Sequence, residues 1–249
     1  MAKPLPNALT EYLYFLVGIL ILPGIIYGII AQINVTTTFN KFEKYENKRG
    51  LTAQEVAQRI LSGAGITDVK IQSTKGHLTD HYDPRNKTLN LSEATFNSKS
   101  VSAIGVAAHE AGHAIQHHEG YKPLKIRNWF VPIVNFASRM FWVVMLVGML
   151  LMLLTIAYAQ IGFIMVWVSV AMYGSSTLFY LITVPVEYNA SNRAIKQLEQ
   201  QNMLDSDELG YAKSVLKAAA QTYVSTLIVS ALYFLRFFLH ILIMFKQDD

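Results

Sequence analysis

Residues 12–33 read YLYFLVGILILPGIIYGIIAQI, 22 positions without one charge. As an α-helix rising about 1.5 Å per residue, this run covers about 33 Å, enough to cross a bilayer hydrocarbon core. It is longer than the apolar part of a secretory signal, and no small-x-small cleavage site follows it. It is therefore expected to stay in the protein as a span. The rest of the chain agrees: 52% of the 249 residues are hydrophobic and 15% are charged, too apolar for an ordinary soluble domain.

Further spans are visible downstream. From Phe130 to Val184 the only charge is Arg139, and the stretch suffices for two helices joined by a tight turn near Ala159, Gln160 and Gly162. A fourth apolar segment runs from Tyr223 to Phe245. Arg236 and His240 lie within it, four residues apart. Intramembrane charge is costly and often functional, which raises a transporter reading, whereas a snorkelling Arg or a partly interfacial segment is the plainer one.

The basic residues orient these spans. Lys41, Lys44, Lys48 and Arg49 follow the first, Lys122, Lys125 and Arg127 precede the second, and Arg193, Lys196, Lys213 and Lys217 fill the last large polar segment. By the positive-inside rule both segments face the cytoplasm, leaving Lys3, Lys246 and the turn around Gln160 on the other side. A multi-pass protein of the cell (inner or plasma) membrane is expected, with the lipid bilayer as a partner. The net charge of +4 is read as membrane orientation and not as nucleic-acid binding. Zero cysteines exclude disulfides and thiolate chemistry.

The parts are then residues 1–33, a first helix; 34–129, a soluble α+β segment; 130–184, two helices; 185–222, a further helical segment; and 223–249, a final apolar helix. Inside the α+β segment, Leu51, Thr52, Glu55 and Val56 form a hydrophobic staple and capping box that open a helix stopping at Gly63 or Gly65. Strands are expected at Val69–Ile71, Leu78–Tyr82 and Thr88–Leu91, the last two joined by a turn through Asp83, Pro84, Arg85 and Asn86. Val101 to His118 then reads as a helix stopped by Gly120.

That helix contains His109, Glu110, Ala111, Gly112 and His113, the string H-E-x-x-H. Histidines four apart share a helix face and can reach one tetrahedral Zn²⁺, with Glu110 beside them as a base for the attacking water. The reaction class is metal-assisted peptide hydrolysis. Its alternative is two surface histidines on an ordinary helix. A catalytic zinc needs a third protein ligand. The position six residues after His113 is Glu119, at the closing helix end, and Gln116 stands where the longer zincin pattern has Gly. His117 shares the face, but three histidines spaced four apart spread over about 12 Å, too far for one ion. Glu187, just past Pro185, is the better candidate: a helix opening at Pro185 would align Glu187, Ser191 and Ala194 on one face. The alternative is an interfacial Glu at a helix amino terminus.

L-T-D-H-Y-D-P (78–84), L-N-L-S (89–92), A-A-H-E-A-G-H-A-I-Q (107–116) and P-V-E-Y-N-A-S-N-R-A (185–194) together resemble the YugP-like neutral zinc metallopeptidases. These are bacterial membrane gluzincins, distantly similar to the HtpX-like proteases. The resemblance implies a mainly α membrane protein of about four transmembrane helices with a small α+β zincin-like cytoplasmic metalloprotease domain. It implies one Zn²⁺ per chain on His109, His113 and Glu187, with Glu110 as catalytic acid/base. It also implies a zinc-dependent metalloendopeptidase acting on peptides or membrane proteins, in processing or quality control. The HtpX-like pattern has Asp where this chain has Ser191, so the group that orients a ligand histidine is open, with Asn189 and Asp80 as candidates. Tyr82, Tyr188 and Arg193 are candidate oxyanion donors. A non-catalytic zinc-dependent scaffold or chaperone is the competing function, and an edge strand before the metal helix could receive an extended substrate.

Overall fold

The computed structural model describes residues 5–246 apart from His77 and Thr155, with side chains described from 8 to 245. Lys3 and the Lys246 side chain, expected on the face opposite the basic loops, lie outside the described residues. Among the described residues, seven helices and three strands follow in the order α1 (Leu5–Glu43), α2 (Ala53–Gly63), β1 (Lys70–Thr74), β2 (His81–Asp83), β3 (Thr88–Ser92), α3 (Glu93–Phe96), α4 (Val101–His118), α5 (Lys122–Leu154), α6 (Ile156–Gln200) and α7 (Ser206–Lys246). The protein is mostly helical, and α1, α5, α6 and α7 are each long and apolar enough to cross a membrane. The described residues divide into two compact units: those of 5–29, 126–182 and 224–246 form one, and those of 30–125 and 183–223 the other.

The first unit holds the apolar stretches. Large side chains such as Ile19, Phe136 and Leu153 are exposed on it at 70%, 65% and 82%, which suits acyl chains and not water. Its helices close on small residues. A Cβ at Gly162 would run into the Gly148 carbonyl, and one at Gly174 would come within 2.8 Å of the Phe234 ring. The expected turn at Ala159–Gly162 is thus corrected: these residues are helical, and Gly162 serves a close approach of α5 to α6. The position between those helices, Thr155, lies outside the described residues. Arg236 lies over the Tyr14 ring, 5.0 Å from its centroid, where Gly18 leaves room for the guanidinium.

The second unit is built around α4. Nearly every side chain from Val101 to Gln116 is buried. Ile60, Leu61, Leu89, Leu91 and Ile104 are fully enclosed in one core, each worth about 1.5–3 kcal/mol of apolar burial. Ser100 caps α4 by accepting from the Ala103 N–H. Its end is a Schellman motif: the Gly120 N–H donates to the His117 carbonyl and the Tyr121 N–H to that of Gln116, with Gly120 at φ +69°. The capping box at Thr52 and Glu55 is present as expected, and Leu51 and Val56 join the core.

The sheet has the order β1-β3-β2, with β1 parallel and β2 antiparallel to the central β3. The expected hairpin is there, its turn held by the Asp83 carboxylate, which accepts from the Arg85 N–H and the Asn86 amide. The strand expected from Leu78 begins only at His81, because Leu78 takes a positive φ of 55° that ends extended pairing. Pro185 differs more. It opens no helix and sits inside α6, where Val186, Glu187 and Ala190 are buried enough for tertiary packing to carry the helix past the lost hydrogen bond.

Candidate metal centre

The site forms where α4 meets the segment of α6 beyond the apolar stretch. Gly112 makes that meeting possible: a Cβ there would lie 2.5 Å from the Ala190 carbonyl oxygen, so only Gly lets the two backbones come this close. The approach brings together His109, His113 and Glu187, each offering one ligand atom, and these atoms lie within 4.8 Å of one another. Glu187 Oε2 is 3.1 Å from His109 Nε2 and 3.5 Å from His113 Nε2. Burial alone would push the Glu187 carboxyl up. The neighbouring His109 and His113 outweigh it, so the group is held well below the usual carboxylate range.

Each histidine is turned by a second contact. His113 Nδ1 is 3.0 Å from Gln116 Oε1, while Gln116 Nε2 donates to the Val186 carbonyl at 2.8 Å and to Asn189 Oδ1 at 2.9 Å. With its amide nitrogen engaged by two acceptors, Gln116 presents a carbonyl oxygen that can only accept. His113 Nδ1 therefore carries the proton, and Nε2 keeps the lone pair a metal requires. His109 Nδ1 is 3.1 Å from Ser191 Oγ. Ser191, read from sequence as the loss of an orienting Asp, is itself the group against His109. Asn189 acts one step removed, through Gln116. Asp80 is elsewhere, accepting from the Ser92 N–H and the Thr95 hydroxyl at the start of α3.

Glu110 is nearly buried, and its Oε2 accepts a 2.9 Å hydrogen bond from the backbone N–H of Tyr82 on the outer edge of β2. The Tyr82 phenol is raised to about 12, first by burial and then by Asp68 and Asp83, so it keeps its proton. It lies 2.8 Å from His117 Nδ1, which engages His117 away from the metal group. Arg193, another candidate oxyanion donor, is held by Asn189 Oδ1 at 2.7 Å and Glu119 Oε2 at 2.6 Å. Tyr188 is 41% exposed. A cavity of about 220 Å³ is lined by His109, Glu110, Glu187 and Ser191 and also by Tyr223, which sequence reasoning had not placed at the site.

A family described as "Putative neutral zinc metallopeptidase" matches residues 17–242. The chain belongs to that family. The chain is also 40% identical over 207 residues to the "Putative membrane protease YugP" of Bacillus subtilis (strain 168), covering 83% of this chain and 88% of that relative. No solved structure matches. The family name carries zinc and peptide cleavage, and the relative's name carries the membrane, in line with the four apolar helices.

The residues present suit a zinc ion by their donor chemistry. Two imidazole nitrogens and one carboxylate make the His₂Glu set of catalytic zinc sites, three protein donors that leave a position open.

Proposed function

We propose that this family member is a membrane-embedded zinc metalloendopeptidase whose zincin-like domain faces the cytoplasm, cleaving peptides or membrane proteins in processing or quality control. One observation carries the reading: the ligand atoms of His109, His113 and Glu187 lie within 4.8 Å of one another, and the Glu110 carboxylate lines the same cavity. Zn²⁺ bound by these three would polarise the scissile carbonyl and lower the pKa of the attacking water.

The remaining work falls to the chain. The Tyr82 N–H fixes Glu110 Oε2, leaving Oε1 to take the proton of the attacking water and return it to the leaving amine. Gln116 and Ser191 hold the ligand imidazoles at their Nδ1 atoms, and Gly112 lets Glu187 reach them. The cytoplasmic orientation is supported by the Lys and Arg residues of the two polar segments.

The competing scaffold function would need the metal alone. Glu110 is the discriminating residue, since it lines the cavity without belonging to the metal-binding group and a purely structural site has no use for a base there. Replacing Glu110 by Gln keeps the shape and removes the base. Glu110→Gln protein is expected to keep its zinc and lose peptide hydrolysis by about 10²–10⁴-fold. Undiminished cleavage by that variant would contradict the mechanism.

A further inference from the structure

We infer that the cavity beside the metal-binding group receives one large apolar side chain of the substrate, flanking the scissile bond, and that α1 and α7 set this preference. The inference rests on the peptidase reading above and adds the substrate class. Beyond the reacting groups, the wall is mostly apolar, with Val35 and Phe39 of α1, Val106 of α4 and Val215, Leu216 and Ala219 of α7, and Gln32, Thr36 and Tyr223 as its uncharged polar members. Among the described lining residues there is no Lys, Arg or Asp, and the only acids are Glu110 and Glu187. A carboxylate side chain would be desolvated there against Glu110 and Glu187, and an ammonium would compete for the two carboxylates the reaction itself uses, whereas an aliphatic or aromatic side chain would exchange water for apolar contact.

Size points the same way. The volume is about 220 Å³, and an apolar protein cavity of about 150 Å³ already binds benzene. The walls are also fixed in place. Phe39, Phe42 and Val215 form a buried cluster against Val106 and Tyr211, and the Phe42 and Tyr211 rings stack at 4.6 Å. Asn34 Nδ2 donates to Gln221 Oε1 at 3.2 Å, and Ser102 Oγ to the Phe39 carbonyl at 2.7 Å, tying α1 to α7 and to α4. On α7, Val215 and Ala219 lie four residues apart on one face, as do Leu216 and Ala220. The two alanines leave the volume that a larger residue would fill.

The experiment uses the full chain in detergent and a peptide series differing only at one residue beside the cleaved bond, with Gly, Ala, Leu, Phe or Lys scanned on either side. Hydrolysis is read as kcat/KM with the unaltered chain, binding as Kd with Glu110→Gln protein, and zinc content for every variant. Both kcat/KM and affinity are expected to rise at least about tenfold from Ala to Leu or Phe on one side of the bond, with Lys rejected. Ala219→Phe should reverse that order at unchanged zinc. If Ala219→Phe loses zinc, Val215→Ala decides, since enlarging the cavity should shift preference from Leu toward Phe. A series flat at every position, or one unaltered by the cavity variant that keeps its zinc, overturns the inference. Graded binding without any cleavage would instead overturn the peptidase reading and leave the apolar receptor standing.

Discussion

Gln116 turns His113 and Ser191 turns His109, and neither contact was legible from the motif alone. H-E-x-x-H names its own three chemical residues, and Glu187 followed from the need for a third donor on a neighbouring helix. Ser191 in place of an Asp leaves Asn189 and Asp80 as the candidates for the orienting group, and Gln116 stands only where the longer zincin pattern has Gly. Helical spacing did contain the signal: Gln116 is three residues past His113, and Ser191 four past Glu187, each on the ligand's own face. Gly112 was legible as part of the motif but not its reason, which is the Ala190 carbonyl 2.5 Å from where a Cβ would be. Removing the contact to His113 should be felt in the metal. Gln116→Leu is expected to weaken zinc binding about 10–100-fold in a chelator competition. Equal affinity in the variant and the unaltered protein would show that Gln116 does not orient the ligand.

Strand β2 is short, lies at the sheet edge and directs the Tyr82 N–H toward Glu110 and not toward β3. That geometry makes an unusual substitution informative. Proline is tolerated at an edge where the N–H leaves the sheet, so Tyr82→Pro should preserve the hairpin while removing the donor to Glu110. Activity is expected to fall at least about tenfold at full zinc content, whereas Tyr82→Phe, which keeps the N–H, should stay within about threefold of the unaltered chain. Equal activities for both variants would remove the N–H from the mechanism. The elements themselves were legible where local rules dominate: the capping box, the hairpin turn and the Gly120 stop all appear as read. Local rules fail where packing overrides propensity. Pro185 is carried inside α6 by buried neighbours, and Gly162 marks a helix contact where a turn was expected.

At the scale of the whole molecule, the alternation of apolar and basic segments made four helices long and apolar enough to cross a membrane, and two polar segments, readable, because lipid solvation acts on composition directly. What composition does not encode is the meeting of residues 101–118 with 183–200, which depends on small side chains at single positions such as Gly112 and Ala190. The proposed orientation can be checked cleanly because the chain has no cysteine. In sealed inverted vesicles a membrane-impermeant maleimide should label Lys48→Cys and leave Gln160→Cys unlabelled, with the pattern reversed in intact cells stripped of any outer membrane. Labelling of both from the same side would contradict the topology.

The central claim is that one zinc ion is held by side chains from two distant parts of the chain, His109 and His113 from one and Glu187 from the other. Metal analysis of purified protein tests it most directly. The account predicts one zinc per chain in the unaltered protein and near-complete loss in Glu187→Ala protein that remains folded. Stoichiometric zinc retained by Glu187→Ala would contradict it.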